Sequence, residues 1–205
     1  MMLLTFYLIA ITAEAMTAAL AAGKRDMDWV GVCVIACITA LGGGSVRDVL
    51  LGHYPLVWVT HPEYLWMTAG AAIFTALTAR LMRHLNKLFL ALDALGLVTF
   101  TVIGCQIALE MELPITIILL SGMMTGCAGG VLRDMLCNDI PLLFRKEMYA
   151  SVSMVTGALY LVAIQLELSE LSSMLIPMGI GLMFRFLALR FNWQMPRFVY
   201  RDDWH

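Results

Sequence analysis

Apolar residues form seven long stretches in the chain, and most charged residues fall in the short gaps between them. A helix needs about 20 apolar residues to cross a bilayer, and each stretch is close to that length. The pattern therefore predicts seven membrane-spanning helices in a single all-α membrane domain that covers residues 1–205. Their predicted bounds are about 2–22, 29–51, 63–83, 88–109, 115–137, 147–166 and 172–191.

The composition agrees with an integral membrane protein. Of the 205 residues, 61% are hydrophobic and 14% are charged, whereas soluble proteins carry about 25% charged residues. The net charge of −2, with no basic tail, gives no indication of nucleic-acid binding. Cys33 and Cys37 are one helical turn apart, but the sequence nearby offers no further ligands for a tetrahedral metal site. We therefore predict neither a metal nor another cofactor.

The basic residues predict the orientation of the chain. No Lys or Arg precedes Lys24, so the first stretch lacks the positive segment of a signal peptide and is interpreted as a helix. Ten of the 13 basic residues fall on one side of the predicted helices, and such residues mark the cytoplasmic side. We therefore expect an external amino terminus and a cytoplasmic carboxyl terminus. The ten residues are Lys24, Arg25, Arg80, Arg83, Lys87, Arg145, Lys146, Arg190, Arg197 and Arg201.

A glycine-rich motif occurs twice, 86 residues apart. The first copy, at residues 42–55, reads GGGSVRDVLLGHYP, and the second, at residues 128–141, reads AGGVLRDMLCNDIP. They lie in the second and the fifth predicted helix. Charged residues are costly inside a bilayer, and those found there commonly serve a function. The two pairs Arg47-Asp48 and Arg133-Asp134 therefore indicate a functional site.

The spacing of the motif predicts an inverted repeat. An offset of 86 residues carries the first three predicted helices onto the next three. Because three is an odd number, the two copies must cross the membrane in opposite directions. The predicted fold is a 3+3 inverted-topology repeat, with repeat 1 at about 2–83, repeat 2 at about 88–166, and a seventh helix at about 172–191.

The glycines predict a kink or break in helices 2 and 5, because glycine weakens a helix. A broken helix exposes carbonyls that favour cations and N–H groups that favour anions. Two opposed breaks would line an ion or zwitterion path. The candidate path residues are Gly42, Gly43, Gly44, Ser45, Arg47, Asp48, Thr125, Gly129, Gly130, Arg133 and Asp134.

Close packing is the alternative explanation of the glycines. Small residues four apart let helices approach, and Gly122, Gly126 and Gly130 follow that spacing. Under this alternative each Arg-Asp pair caps a half-helix and stabilises the fold.

Two further acids lie within predicted helices. Glu14 is midway along the first, and Asp93 is near the start of the fourth. Intramembrane acids are functional candidates that usually face a cavity or a partner. Arg185 and the two motif arginines are the available counter-charges, so a structural ion pair is the alternative for both acids.

The sequence has no nucleophile elbow, zinc motif or phosphate loop, and we therefore do not predict an enzyme.

The doubled GGG-x-x-R-D and GGVLRD motifs, together with Asp93-Ala94-Leu95-Gly96-Leu97, resemble the prokaryotic TRIC family. These proteins are relatives of trimeric intracellular cation channels, and bacterial members also carry the name glycine transporter. The resemblance implies a homotrimer in the bacterial inner membrane, surrounded by membrane lipids. It also implies an ion path in each protomer along helices 2 and 5. Ala128 stands where the first copy has Gly42, which predicts a milder second kink.

Two functions follow from these patterns. The first is a channel for monovalent cations, chiefly potassium and also sodium, which the acids favour. The second is a carrier for glycine or another small zwitterion, which uses the same broken helices. A scaffold that only trimerises would leave the two buried Arg-Asp pairs without a purpose.

Overall fold

The computed structural model describes residues 2–79, 85–144 and 148–193, and these residues form eight α-helices and one short 3-10 helix. The gaps between the apolar stretches supply polar caps for some of the helices. Asp28, for example, accepts a hydrogen bond from the backbone of Gly31 at the start of the second helix. The elements are α1 Met2–Gly23, α2 Trp29–Leu51, α3 Val57–Thr60, α4 Glu63–Thr78, α5 Leu85–Glu110, α6 Ile115–Leu136, the 3-10 helix Leu142–Phe144, α7 Tyr149–Gln165 and α8 Glu170–Arg190.

The all-helical prediction is confirmed, and each predicted stretch contains one helix. Five helices (α1, α2, α5, α6 and α8) are long and apolar enough to cross a membrane. α4 has 16 residues and α7 has 17, so seven crossings stay a prediction. The short α3 was not predicted. Of the basic residues used to predict orientation, Arg80, Arg83, Arg145, Lys146, Arg197 and Arg201 lie outside the described residues.

The apolar interior consists of two clusters. The first is formed mainly by α1, α2 and α4, with Phe100 and Ile103 of α5 joining it. The second is formed by α5, α6, α7 and α8. α5 packs against α1 on one side and against α6, α7 and α8 on the other. α5 thus contributes to both clusters and connects them.

The two motif helices cross at their glycines. Gly43 of α2 lies so close to the backbone carbonyl of Thr125 in α6 that a Cβ atom would overlap it. Gly129 of α6 stands in the same relation to the carbonyl of Thr39 in α2. Along α6, Thr125 precedes Gly129, whereas along α2 the partner of Thr125, Gly43, follows the partner of Gly129, Thr39. The helices consequently cross antiparallel, as a two-fold relation between the repeats requires.

The predicted break at these glycines is wrong. α2 is one uninterrupted helix over Trp29–Leu51, and α6 is one uninterrupted helix over Ile115–Leu136. The glycines are needed for close approach, since Gly122 and Gly126 also have no room for a Cβ atom against the backbone of α5. Close packing therefore accounts for Gly43, Gly122, Gly126 and Gly129, and the role of Gly43 and Gly129 in an ion path stays a prediction. A bend within either continuous helix stays a prediction.

Candidate ion path

Arg133 is the centre of a buried polar cluster. Its Nε donates to Asp134 Oδ1 at 2.8 Å, and its Nη1 donates to Asp93 Oδ1 at 2.9 Å and to Thr17 Oγ1 at 3.0 Å. Glu14 Oε2 lies 3.8 Å from the same Nη1. The side chain of Arg133 is 0% exposed, and the three carboxylates are almost as deeply buried. Such a guanidinium is stable only because carboxylates and hydroxyls surround it.

The cluster draws on four helices and a connecting segment. The Tyr149 hydroxyl of α7 donates to Asp93 Oδ1 at 3.3 Å, and the backbone N–H of Leu142 donates to Asp134 Oδ2 at 2.9 Å. The guanidinium carbon of Arg185, in α8, lies 4.9 Å from the centre of the Tyr149 ring. The cluster therefore joins α1, α5, α6 and α7, with α8 packed behind it.

The carboxylates outnumber the guanidinium that they contact directly. Glu14, Asp93 and Asp134 all lie within ion-pair distance of Arg133. Asp93 Oδ2 is buried without a hydrogen-bond partner in the described part of the chain. An unmatched buried acceptor of this kind favours a cation or a proton donor.

Arg47 has a simpler environment at the other side of the crossing. Its Nε and Nη2 both donate to Asp48 Oδ1, at 2.9 and 2.7 Å. His53 Nδ1, at the end of α2, lies 3.0 Å from the same oxygen, and its side chain is partly exposed. Nearby, the Trp58 indole N–H donates to Ser45 Oγ at 3.1 Å. This cluster is formed by α2 and the segment that follows it.

A cavity of about 220 Å³ reaches the crossing from the Arg47 side. Its wall includes Arg47, Gly44 and Thr125, together with Tyr7 of α1 and Tyr64 of α4. Thr125 Oγ1 donates within its own helix to the carbonyl of Ser121 at 2.7 Å. The cavity therefore brings three of the predicted path residues onto one surface at mid-helix.

The two sides differ because equivalent positions hold different residues. The 86-residue offset relates Asp93, which binds Arg133, to Tyr7, which lines the cavity beside Arg47. The same offset relates Phe89, whose ring lies 4.6 Å from the Arg133 guanidinium carbon, to Leu3 in the cavity wall. An ion-pair network therefore occupies the α6 side, whereas the α2 side has a cavity.

Comparison with known proteins finds one family. A family model described as glycine transporter matches residues 4–80 and again residues 90–165. The chain is 35% identical over 186 residues to a UPF0126 membrane protein of Vibrio cholerae, a match that covers 90% of this chain and 78% of that protein. It is 34% identical over 195 residues to the UPF0126 inner membrane protein YadS of Escherichia coli, a match that covers 92% of both. The two segments begin 86 residues apart, as the two motifs do.

Solved structures of TRIC channels resemble the chain over almost its whole length. A structure solved to explain conductance through TRIC cation channels has a TM-score of 0.86 and 31% identity, and covers 97% of this chain and 98% of its own. The TRIC trimeric intracellular cation channel orthologue from Rhodobacter sphaeroides has a TM-score of 0.89 and 27% identity, with 93% and 98% covered. The chain belongs to the prokaryotic TRIC family. Membership indicates a membrane channel or transporter rather than an enzyme.

In this TRIC chain the predicted candidates separate into groups. Glu14 and Asp93 join the second motif pair, and of the three counter-charges considered it is Arg133 that contacts both. The first pair, Arg47-Asp48, stands apart from them. Gly44 and Gly130 each lie near the arginine three residues further along. A Cβ atom at Gly44 would make an ordinary contact with Arg47 Nη2 at 3.7 Å, whereas one at Gly130 would lie only 3.2 Å from the Tyr149 hydroxyl, a tight contact. Gly42 instead packs against the Leu132 side chain.

Three residues of the cluster were not predicted from the sequence. Thr17, Tyr149 and Phe89 are uncharged, and each lies in an apolar stretch that resembles ordinary core. Their contact with Arg133 or Asp93 depends on the packing of α1, α5, α6 and α7. Thr17 had one local signal, since it follows Glu14 by three residues and its hydroxyl lies 3.1 Å from Glu14 Oε2.

Gly96 provides a test of how Glu14 is held in the TRIC chain. A Cβ atom at Gly96 would overlap three side-chain atoms of Glu14. We expect Gly96→Ala to lower the free energy of unfolding by about 1–3 kcal/mol, because it forces a buried carboxylate out of its place. Thermal unfolding in detergent measures the change.

Gly70 offers the matched control, because nothing lies within 4 Å of a Cβ atom there. Combining Gly96→Ala with Glu14→Ala should remove the overlap and restore part of the stability. Equal melting temperatures for Gly96→Ala and Gly70→Ala would contradict this account of the Glu14 site.

Proposed function

We propose that this chain forms a channel for monovalent cations, chiefly potassium, with an ion path in each protomer between α2 and α6. The arrangement of charge around the crossing of these helices carries the proposal. A cavity beside Arg47 lies on one side, and a buried acidic cluster around Arg133 lies on the other. Similarity to the solved TRIC cation channels supports it.

The proposed path uses side chains in place of the predicted helix breaks. A cation enters the cavity, passes Thr125 and Gly44, and reaches the carboxylates beyond the crossing. Both motif arginines are paired with the aspartate that follows them, at 2.7 and 2.8 Å. This pairing lowers their repulsion of a cation, and the additional acids Glu14 and Asp93 favour its binding.

The assembly and the membrane orientation belong to the same proposal. The orthologue from Rhodobacter sphaeroides is described as trimeric, and we propose a homotrimer in the bacterial inner membrane. Large apolar side chains such as Val30, Trp66 and Phe74 are 62–81% exposed, which suits contact with lipid or with a neighbouring protomer. The distribution of basic residues supports an external amino terminus and a cytoplasmic carboxyl terminus.

A glycine carrier is the second candidate, and two observations favour it. The matching family model is described as glycine transporter. Arg47 lies in the wall of a cavity whose volume, about 220 Å³, accommodates a small zwitterion. Since α2 and α6 are uninterrupted, the carboxylate of such a molecule would be held by the guanidinium rather than by a helix terminus.

The two functions differ in the currents and fluxes that they predict. Purified protein in planar bilayers under a potassium gradient is expected to give discrete potassium-selective current steps. Labelled glycine flux into liposomes from the same preparation should not exceed leak. Saturable glycine uptake without unitary currents would overturn the channel and favour the carrier.

Asp93→Asn tests whether the acidic cluster contributes to selectivity. Asparagine keeps an acceptor for Arg133 and Tyr149 but removes the negative charge. We expect the preference for potassium over chloride to fall by about tenfold, the change that about 1.4 kcal/mol of lost ion stabilisation produces. Reversal potentials in asymmetric potassium chloride measure it. Glu112→Gln removes one charge from an exposed loop residue and should leave selectivity unchanged.

A further inference from the structure

Phe89 contacts both an exposed cation and the buried cluster. Its aromatic ring is contacted by two cations: the Lys24 ammonium lies 5.4 Å from the ring centre, and the Arg133 guanidinium carbon lies 4.6 Å from it. Lys24 is exposed, Phe89 is partly buried, and Arg133 is fully buried. The three side chains therefore form a series that leads from the surface to the acidic cluster.

Both cations that contact the Phe89 ring are held in place by hydrogen bonds to other residues. Lys24 also donates to Asn86 Oδ1 at 2.9 Å, one turn before Phe89 in α5, and this bond ties the α1–α2 connection to that helix. Arg133 is held by Asp93, Asp134 and Thr17. The ring thus contacts two positioned charges, each of which favours an aromatic face.

We propose that Phe89 is a gate residue that closes the α6 end of the path, with its ring held in the closed position by Lys24 and Arg133. The proposal rests on the proposed function, because a gate implies a path. The equivalent position in the first repeat, Leu3, lines the cavity at the other end instead. One end of the path is therefore open to a cavity, while an aromatic ring covers the other.

Under this proposal a substitution at Phe89 changes the access of water and ions to the acidic cluster, but it removes none of the charges of that cluster. A cation–π contact is strongest where water is excluded, as it is around Arg133. Loss of the ring frees its space and weakens the closed arrangement, while the ion pairs of Arg133 with Asp93 and Asp134 remain. We therefore expect Phe89→Ala to admit water and small cations to the carboxylates.

Cys127 is a natural reporter of this access. Its side chain is 3% exposed and lies close enough to Asp93, Arg185 and Glu14 to interact with their charges. The purified full-length protein in nanodiscs would be treated with a cationic methanethiosulfonate reagent, and mass spectrometry would locate the modified cysteine. We expect slow labelling of Cys127 in the wild type and labelling at least about tenfold faster in Phe89→Ala.

Three variants make the test specific. Phe89→Tyr keeps the ring and should label as slowly as the wild type. Leu3→Ala makes the matching truncation at the cavity end and should also label slowly. Lys24→Gln alters only an exposed residue and should increase labelling by about two- to fivefold, as expected for an exposed cation–π contact. Lys24→Gln also provides an answer if Phe89→Ala fails to fold.

Several results would overturn the gate. The first is fast labelling of Cys127 in the wild type. The second is a labelling rate that rises in neither Phe89→Ala nor Lys24→Gln. The third is an equal rise in Leu3→Ala and Phe89→Ala. Labelling requires no ionic current, so the gate and the channel are tested separately. Faster labelling in Phe89→Ala with no potassium current in any variant would support the access role of Phe89 and reject conduction.

Discussion

Replacing Arg133 with glutamine is expected to lower the free energy of unfolding by about 3–5 kcal/mol, the cost of removing one partner of a buried ion pair. The substitution leaves Asp93, Asp134 and Glu14 buried with no guanidinium between them. It also removes hydrogen bonds that join α6 to α1 and α5. Thermal unfolding followed by size-exclusion chromatography in detergent measures the loss of folded protein.

Arg47→Gln is the matched control, because it changes the equivalent residue of the first motif. Arg47 is as buried as Arg133, but its guanidinium donates to the neighbouring Asp48 in the same helix, whereas that of Arg133 also donates to residues of α1 and α5. We expect a smaller loss of stability.

Neutralising a carboxylate should rescue the first variant, so Arg133→Gln with Asp93→Asn is expected to be more stable than Arg133→Gln alone. Equal effects of Arg133→Gln and Arg47→Gln would contradict the difference between the two environments.

Gly43→Ala is expected to produce the second large effect. The added Cβ atom would overlap the backbone carbonyl of Thr125, and a backbone atom in a packed helix has no rotamer by which to move away. α2 and α6 must therefore separate, at a cost of about 1–3 kcal/mol for overpacking. Because Gly129 makes the reciprocal contact with Thr39, Gly129→Ala should be about as harmful. Melting temperatures of the purified variants report both changes.

Gly44→Ala provides the control within the same motif. The nearest atom to a Cβ there is Arg47 Nη2 at 3.7 Å, an ordinary van der Waals distance. Alanine also has the higher helix propensity, so we expect stability to be retained or slightly raised. If Gly44→Ala destabilises the protein as much as Gly43→Ala, the glycines act through helix flexibility rather than through close approach.

The two motifs show how far a local pattern predicts a site. Their sequences align without a gap, and both arginines pair with the aspartate that follows. The surroundings nevertheless differ, because α1 and α5 place Tyr7 beside one motif and Asp93 beside the other. The 86-residue offset that identifies the repeat also relates Tyr7 to Asp93. It therefore predicts which positions correspond in the two repeats. It does not predict that one motif lies in an acid network and the other beside a cavity.

The sequence by itself determined that the chain is helical and membrane-embedded, where its long helices lie, and that a charged glycine motif recurs at one spacing. These features follow from local hydrophobicity and from exact repetition, both of which can be read along the chain. The tertiary structure decided that the glycines bring two continuous helices together instead of breaking them. It also decided that Glu14, Thr17 and Asp93 meet at Arg133, since contacts between distant helices depend on how their faces pack.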